Sequence, residues 1–295
     1  MRLLHTATLE LETFNTTVKP GAYAIVSHTW GEDEVVFEDV QTRPINEWRK
    51  KAGAAKILEA AKIAAKSKIS FIWIDTCCID KSSSSELSES INSMYQWYMN
   101  SHICYVYLSD VLLKESDLPR TGIVPFKESR WFRRGWTGKL KLHIPRDHPY
   151  TCFLVSSFRP LILLQLQELI APSHELFFDK SWSQMGTRNE LANEIHLVTT
   201  IDTEILAHRN RYYDRWKRTV HTRMVWASRR ETTRAEDMAY SLMGIFDVNM
   251  PLLYGEGGQR AFERLQVEII KRTKRSVYPS AHSVPRSRGF GQFTS

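Results

Sequence analysis

Two short polar segments hold the residues best suited to chemistry. SHTWGED contains Ser27, His28 and Trp30, and DTCCIDK contains Asp75 and Asp80 with the adjacent Cys77 and Cys78. A hydroxyl, an imidazole, an indole and two carboxylates could line one pocket for a polar ligand. Each also has a purely structural reading: His28 and Trp30 as a hydrogen-bonded pair under a loop, Asp75 and Asp80 as turn and cap residues. The two cysteines have no identifiable activating base nearby in sequence, so burial suits them better than nucleophilic work. The four cysteines of the chain show no zinc or thioredoxin spacing. No GxGxxG or GxxxxGK segment occurs, which leaves dehydrogenase and kinase chemistry unsupported.

The elements that must position these residues follow from hydrophobic periodicity. AYAIVS (22–27) is a short apolar run that delivers SHTWGED at its carboxyl end, as a buried strand would. A helical stripe follows over 54–64 through Ile57, Ala61 and Ala64, and then a second apolar run, ISFIWI (69–74), delivers DTCCIDK. Ser83 and Glu86 have capping-box spacing and predict a helix whose inner face is Leu87, Ile91, Met94, Tyr95 and Tyr98. ICYVYL (103–108) is a third strand. Three successive strand–helix units predict a parallel α/β sheet, whose carboxyl edge would gather both polar loops. Beyond about residue 181 the chain reads as helical: Glu190–Ile195, a capping box at Thr233 and Glu236 before Ala239, Leu242, Met243 and Phe246, and a last helix through Ala261, Phe262, Leu265 and Ile269.

With 42% hydrophobic residues, the chain can bury a real core, and no apolar run reaches 18 residues. We expect a cytoplasmic protein with reduced thiols and no membrane span. The net charge of +7 is concentrated in 209–234 and 271–288. Such patches are usually solvated faces, so a nucleic-acid partner is not expected.

YAIVSHTWGEDEVVFEDV (23–40), IWIDTCCIDKSSSSELSESINSMYQWY (72–98), CYVYLSDV (104–111), SRWFRRGWT (129–137), LQELIAPS (166–173) and WASRRETTRAEDMAYSLMGIFDVNMPLLYGEG (226–257) together closely resemble the fungal heterokaryon incompatibility (HET) domain family. The resemblance implies a role in vegetative incompatibility, in which fusion between genetically different fungal cells ends in programmed cell death. It also implies protein partners in that signalling and possible self-association. The strand–helix order with its polar loop is similar to the Toll/interleukin-1 receptor (TIR) fold, which is doubly wound and flavodoxin-like. In TIR enzymes that break down NAD, the glutamate of a WxxxE motif acts near the ribose. The corresponding pair here is Trp136 and Glu168, with NAD as substrate rather than cofactor.

That motif is interrupted. Residues 138–165 have no counterpart in the family pattern, and their removal would restore GWTLQELIAPS without a gap. Pro145, Pro149 and Pro160 break any helix there, and the apolar stretches have no period. A translated intron or a genuine surface insertion both fit, and either would impair an enzyme that relies on the pair. The expected organisation is an N-terminal segment (1–19), a HET α/β domain (20–180) containing the insertion, a helical extension (181–272) and a disordered basic tail (273–295). Two functions compete: a death effector acting through partner contacts or self-assembly, and an NAD or nucleotide glycohydrolase using Glu168.

Overall fold

The computed structural model describes residues 1–14, 21–113, 124–133, 166–207, 219–227 and 234–277. Its centre is β3 (Tyr23–His28), in which all six residues are buried. A strand so apolar needs cover on both faces, and it receives it. β4 (Phe71–Ile74) pairs with β3 in parallel, with Ile25 opposite Trp73. β5 (Ile103–Tyr107) pairs with its other edge, also in parallel, with Ile25 opposite Cys104. β6 (Glu175–Phe178) continues the parallel set beside β5.

The connecting helices take opposite faces. α3 (Ala54–Lys66) joins β3 to β4 and buries Ala54, Ile57, Ala60, Ala61 and Ala64, the small-residue stripe that lets a helix lie close on a sheet. α5 (Ser84–Asn100) joins β4 to β5 and buries Met94, Tyr95 and Tyr98. Side chains alternate along β3. The Tyr23 hydroxyl donates to the Trp97 carbonyl of α5 at 2.5 Å, whereas His28, of opposite parity, meets Lys56 of α3 at 3.2 Å.

The all-parallel expectation needs correction. The sheet has seven strands in the order β2-β1-β4-β3-β5-β6-β7, and its edges are antiparallel. β1 (Arg2–His5) and β2 (Leu11–Thr13) form a hairpin, and β1 pairs with β4. β7 (Gln184–Thr187) folds back on β6 across an irregularity at Phe177/Phe178. Strands of three or four residues show too little alternation to be read as strands, and antiparallel hairpins suit a sheet edge with one solvated side.

The capping box at α5 is half realised. Ser83 accepts from the Glu86 N–H at 3.4 Å, but the Glu86 carboxylate turns to the Asp80 N–H at 2.9 Å and to Arg2 of β1. At the second expected box Thr233 lies outside the described residues. Glu236 there accepts from Gly255 and Gly257 N–H groups instead, and its helix is two short pieces, α12 (Asp237–Tyr240) and α13 (Met243–Phe246), after α11 (Val220–Ala227). Ala239, Leu242, Met243 and Phe246 are buried as expected. α14 (Gly258–Val277) buries Ala261, Leu265 and Ile269, and carries helix five residues into the expected tail. The insertion 138–165 and residues 278–295 lie outside the described residues.

Candidate functional site

Both polar loops arrive at the carboxyl edge of the parallel strands, and there they interlock. Asp75, the first residue of the single-turn α4 (Asp75–Cys78), faces three groups at once. Its Oδ1 lies 3.2 Å from His28 Nε2, its Oδ2 accepts from the Trp30 indole N–H at 2.9 Å, and Lys81 Nζ stands 3.5 Å from Oδ2. The same ammonium sits 3.5 Å from the centre of the Trp30 ring, a cation–π contact. Burial favours the neutral carboxyl, but Lys81, His28 and the indole N–H outweigh it and hold Asp75 below the usual carboxylate range.

Behind His28 runs a buried charge relay. Lys56 Nζ lies 3.2 Å from His28 Nδ1 and 2.5 Å from Glu34 Oε1. Nδ1 faces the Thr29 carbonyl at 3.3 Å as well, while Nε2 points to Asp75. Glu34 Oε1 also takes the Gly31 N–H at 2.5 Å, which closes the SHTWGED loop on itself. Lys56, Glu34 and Lys81 escape sequence reasoning. A lysine beside an alanine stripe reads as solvent-facing, and only the 8% exposure of Lys56 shows that it is not.

Ser27 faces the other way. Its hydroxyl donates to the Glu168 carboxylate and accepts from the Trp131 indole N–H at 2.8 Å. Trp131 is on α7 (Arg130–Arg133) and Glu168 on α8 (Leu166–Ile170), the one-turn helix that leads to β6. Burial, with the Glu168 carboxylate in its surroundings, pushes the Tyr98 hydroxyl of α5 well above its ordinary value. Arg188, itself buried, fixes α8 from below: it donates to the Leu169 carbonyl at 2.9 Å and the Leu206 carbonyl at 2.8 Å, and pairs with Glu175 on β6.

Of the residues singled out by sequence, His28, Trp30 and Asp75 form one cluster, and Ser27 with Glu168 forms a second beside it on the opposite side of β3. Asp80 joins neither; its carboxylate accepts from the Ser82 N–H and hydroxyl at 2.9 and 2.6 Å, a turn before α5. Trp136 lies outside the described residues. Trp131 is an additional member that stands in a recognised segment without a separate role. Cys77 and Cys78 are buried, and hydrogen bonding to Cys78 together with burial pushes the Cys77 thiol well up, so it carries no thiolate near neutral pH. Among the described residues no group of three His, Cys, Asp or Glu side chains could hold a metal ion. No described helix is long and apolar enough to cross a membrane.

Comparison with known proteins adds to this geometry. Residues 23–121, which carry β3 to β5 and the His28–Asp75 cluster, match the family described as heterokaryon incompatibility protein (HET). The chain is 43% identical over 253 residues to the vegetative incompatibility protein HET-E-1 of Podospora anserina. That match covers 84% of this chain and 16% of the longer relative. No solved structure matches.

Proposed function

The chain belongs to the heterokaryon incompatibility family through residues 23–121, and from that premise we propose that it acts in vegetative incompatibility, promoting programmed cell death after non-self recognition. The observation that carries this reading is the 43% identity to a vegetative incompatibility protein along 84% of the chain. On this reading it works in the cytoplasm, through contacts with protein partners or with further copies of itself. The test is inducible expression of the full chain in a fungal host, with viability followed over time. Loss of viability is expected; normal growth at matched protein levels would overturn the proposal.

A second reading is a TIR-like NAD or nucleotide glycohydrolase, and one observation favours it: Glu168 meets Ser27 at the carboxyl edge of the parallel strands. Ligands of open α/β sheets bind at that edge. The order β4-β3-β5-β6 of the parallel strands and helices on both faces agree with the doubly wound, flavodoxin-like arrangement of TIR domains. In this reaction the glycosidic bond breaks, nicotinamide leaves with its electron pair, and the Glu168 carboxylate stabilises the ribosyl cation until water adds and releases a proton. The insertion separates Trp136 from Glu168 along the chain, yet Glu168 still reaches Ser27 with all 295 residues present. Cellular NAD decides between the readings. A fall in NAD with the full chain, enhanced when 138–165 is deleted and abolished by Glu168→Gln, is the enzymatic outcome; death with NAD constant in all three leaves the partner reading.

A further inference from the structure

Glu168 is held by a helix too short to hold it. α8 has five residues, far below the length at which a helix is stable by itself. The direction of its carboxylate must therefore come from other elements. Two supply it: Ser27 is on the central strand and Trp131 on α7, and each is only 1% exposed. The hydrogen-bond directions are forced by chemistry. An indole N–H only donates, so Trp131 occupies a lone pair of the Ser27 oxygen; a carboxylate only accepts, so the single Ser27 proton goes to Glu168.

We infer that Ser27 and Trp131 are positioning residues for Glu168, with Trp131 acting through the Ser27 hydroxyl. The consequence for turnover rests on the glycohydrolase reading; the placement of the carboxylate does not. Buried Tyr and Trp side chains commonly find polar partners merely to satisfy their own donors. Here the Trp131 indole and the Ser27 hydroxyl form one chain of donors that ends on a half-buried carboxylate at the ligand edge of the sheet, from elements that are far apart in sequence. Such a chain favours one rotamer of the carboxylate, and loss of correct placement by about 1 Å can cost on the order of a hundredfold in rate.

The test uses the full chain labelled with 15N at tryptophan. Its Trp131 indole signal is identified by its loss in Trp131→Phe. Ser27→Ala and Glu168→Gln are expected to move that signal, with Ser27→Thr, which keeps the hydroxyl, leaving it near its original position. An indole signal indifferent to both Ser27→Ala and Glu168→Gln overturns the inference, whether or not the protein cleaves NAD. NAD cleavage by the same proteins is then measured. Ser27→Ala and Trp131→Phe are expected to lower kcat about 10-fold or more with KM little changed, and Ser27→Thr to recover most of the loss. Cleavage with kcat unaffected by either substitution also overturns it. Coupled indole signals without any cleavage by the unsubstituted chain would remove the glycohydrolase reading and leave the placement of Glu168 standing.

Discussion

Asp75 concentrates the electrostatics of the first cluster, since His28, Trp30 and Lys81 all converge on it. Replacing it by alanine removes the shared partner of a half-buried lysine, an indole N–H and an imidazole, and we expect a loss of about 3 kcal/mol in urea unfolding. The pH dependence follows from its lowered pKa. The folded protein binds this proton more weakly than the unfolded chain, so the Asp75 contribution is complete above the ordinary value of 3.8 and is lost as pH falls through the folded value below it. Stability of the native chain should therefore drop more steeply than that of Asp75→Asn on acidification below about pH 4. Retention of the same acid profile in Asp75→Asn would show that other carboxylates dominate. His28 and Asp75 were legible in the sequence because each stands at the end of an apolar run, and parallel strands bring such ends together. Lys56 and Lys81 were not, because a basic side chain gives no sign of its burial until its carboxylate partner is placed. Ser27 and Glu168 are 141 positions apart, and no local pattern couples them.

Among the elements, α8 depends most on its neighbours. Arg188 ties it to β6 through Glu175 and to α10 (Thr203–Ala207) through the Leu206 carbonyl. Burial pushes the Glu175 carboxyl up, with the Arg188 guanidinium opposing it. Arg188→Leu strands that carboxyl and the Leu169, Leu206 and Pro172 carbonyls, and should cost about 3–5 kcal/mol in denaturant unfolding. The double variant Arg188→Leu with Glu175→Leu should recover part of the loss, since an apolar pair carries no desolvation penalty. If the single and double variants lose equally, the carbonyl contacts rather than the ion pair hold α8. The long elements α3, α5 and β3 to β5 were readable because period and length agree in them. The outer strands β1, β2, β6 and β7, of which β2 and β7 form the edges, were not: ELFF and QMGT carry no alternation that separates a strand from a loop.

At the scale of the whole molecule, the carboxyl-terminal helices are seated on α5 through one close approach. A Cβ built on Gly244 of α13 would stand 2.3 Å from Tyr95 Cβ on α5. Gly244→Ala must push the two helices apart, and we expect a loss of about 1–3 kcal/mol together with faster proteolysis of the region after residue 234. Unchanged proteolysis would mean that this region is anchored elsewhere. The order of strands in the sheet also sets a timetable for synthesis. Cys104 of β5 pairs with Glu175 of β6, so one margin of β5 has no strand beside it until some seventy further residues have left the ribosome. At about 5–20 residues per second this is a delay of roughly 4–14 seconds. Throughout it, the nascent chain exposes a row of backbone donors and acceptors from an apolar strand, the kind of margin on which chains aggregate. Residues 138–165 lie within that interval and lengthen it, so the insertion burdens the newborn chain before it can affect the folded one.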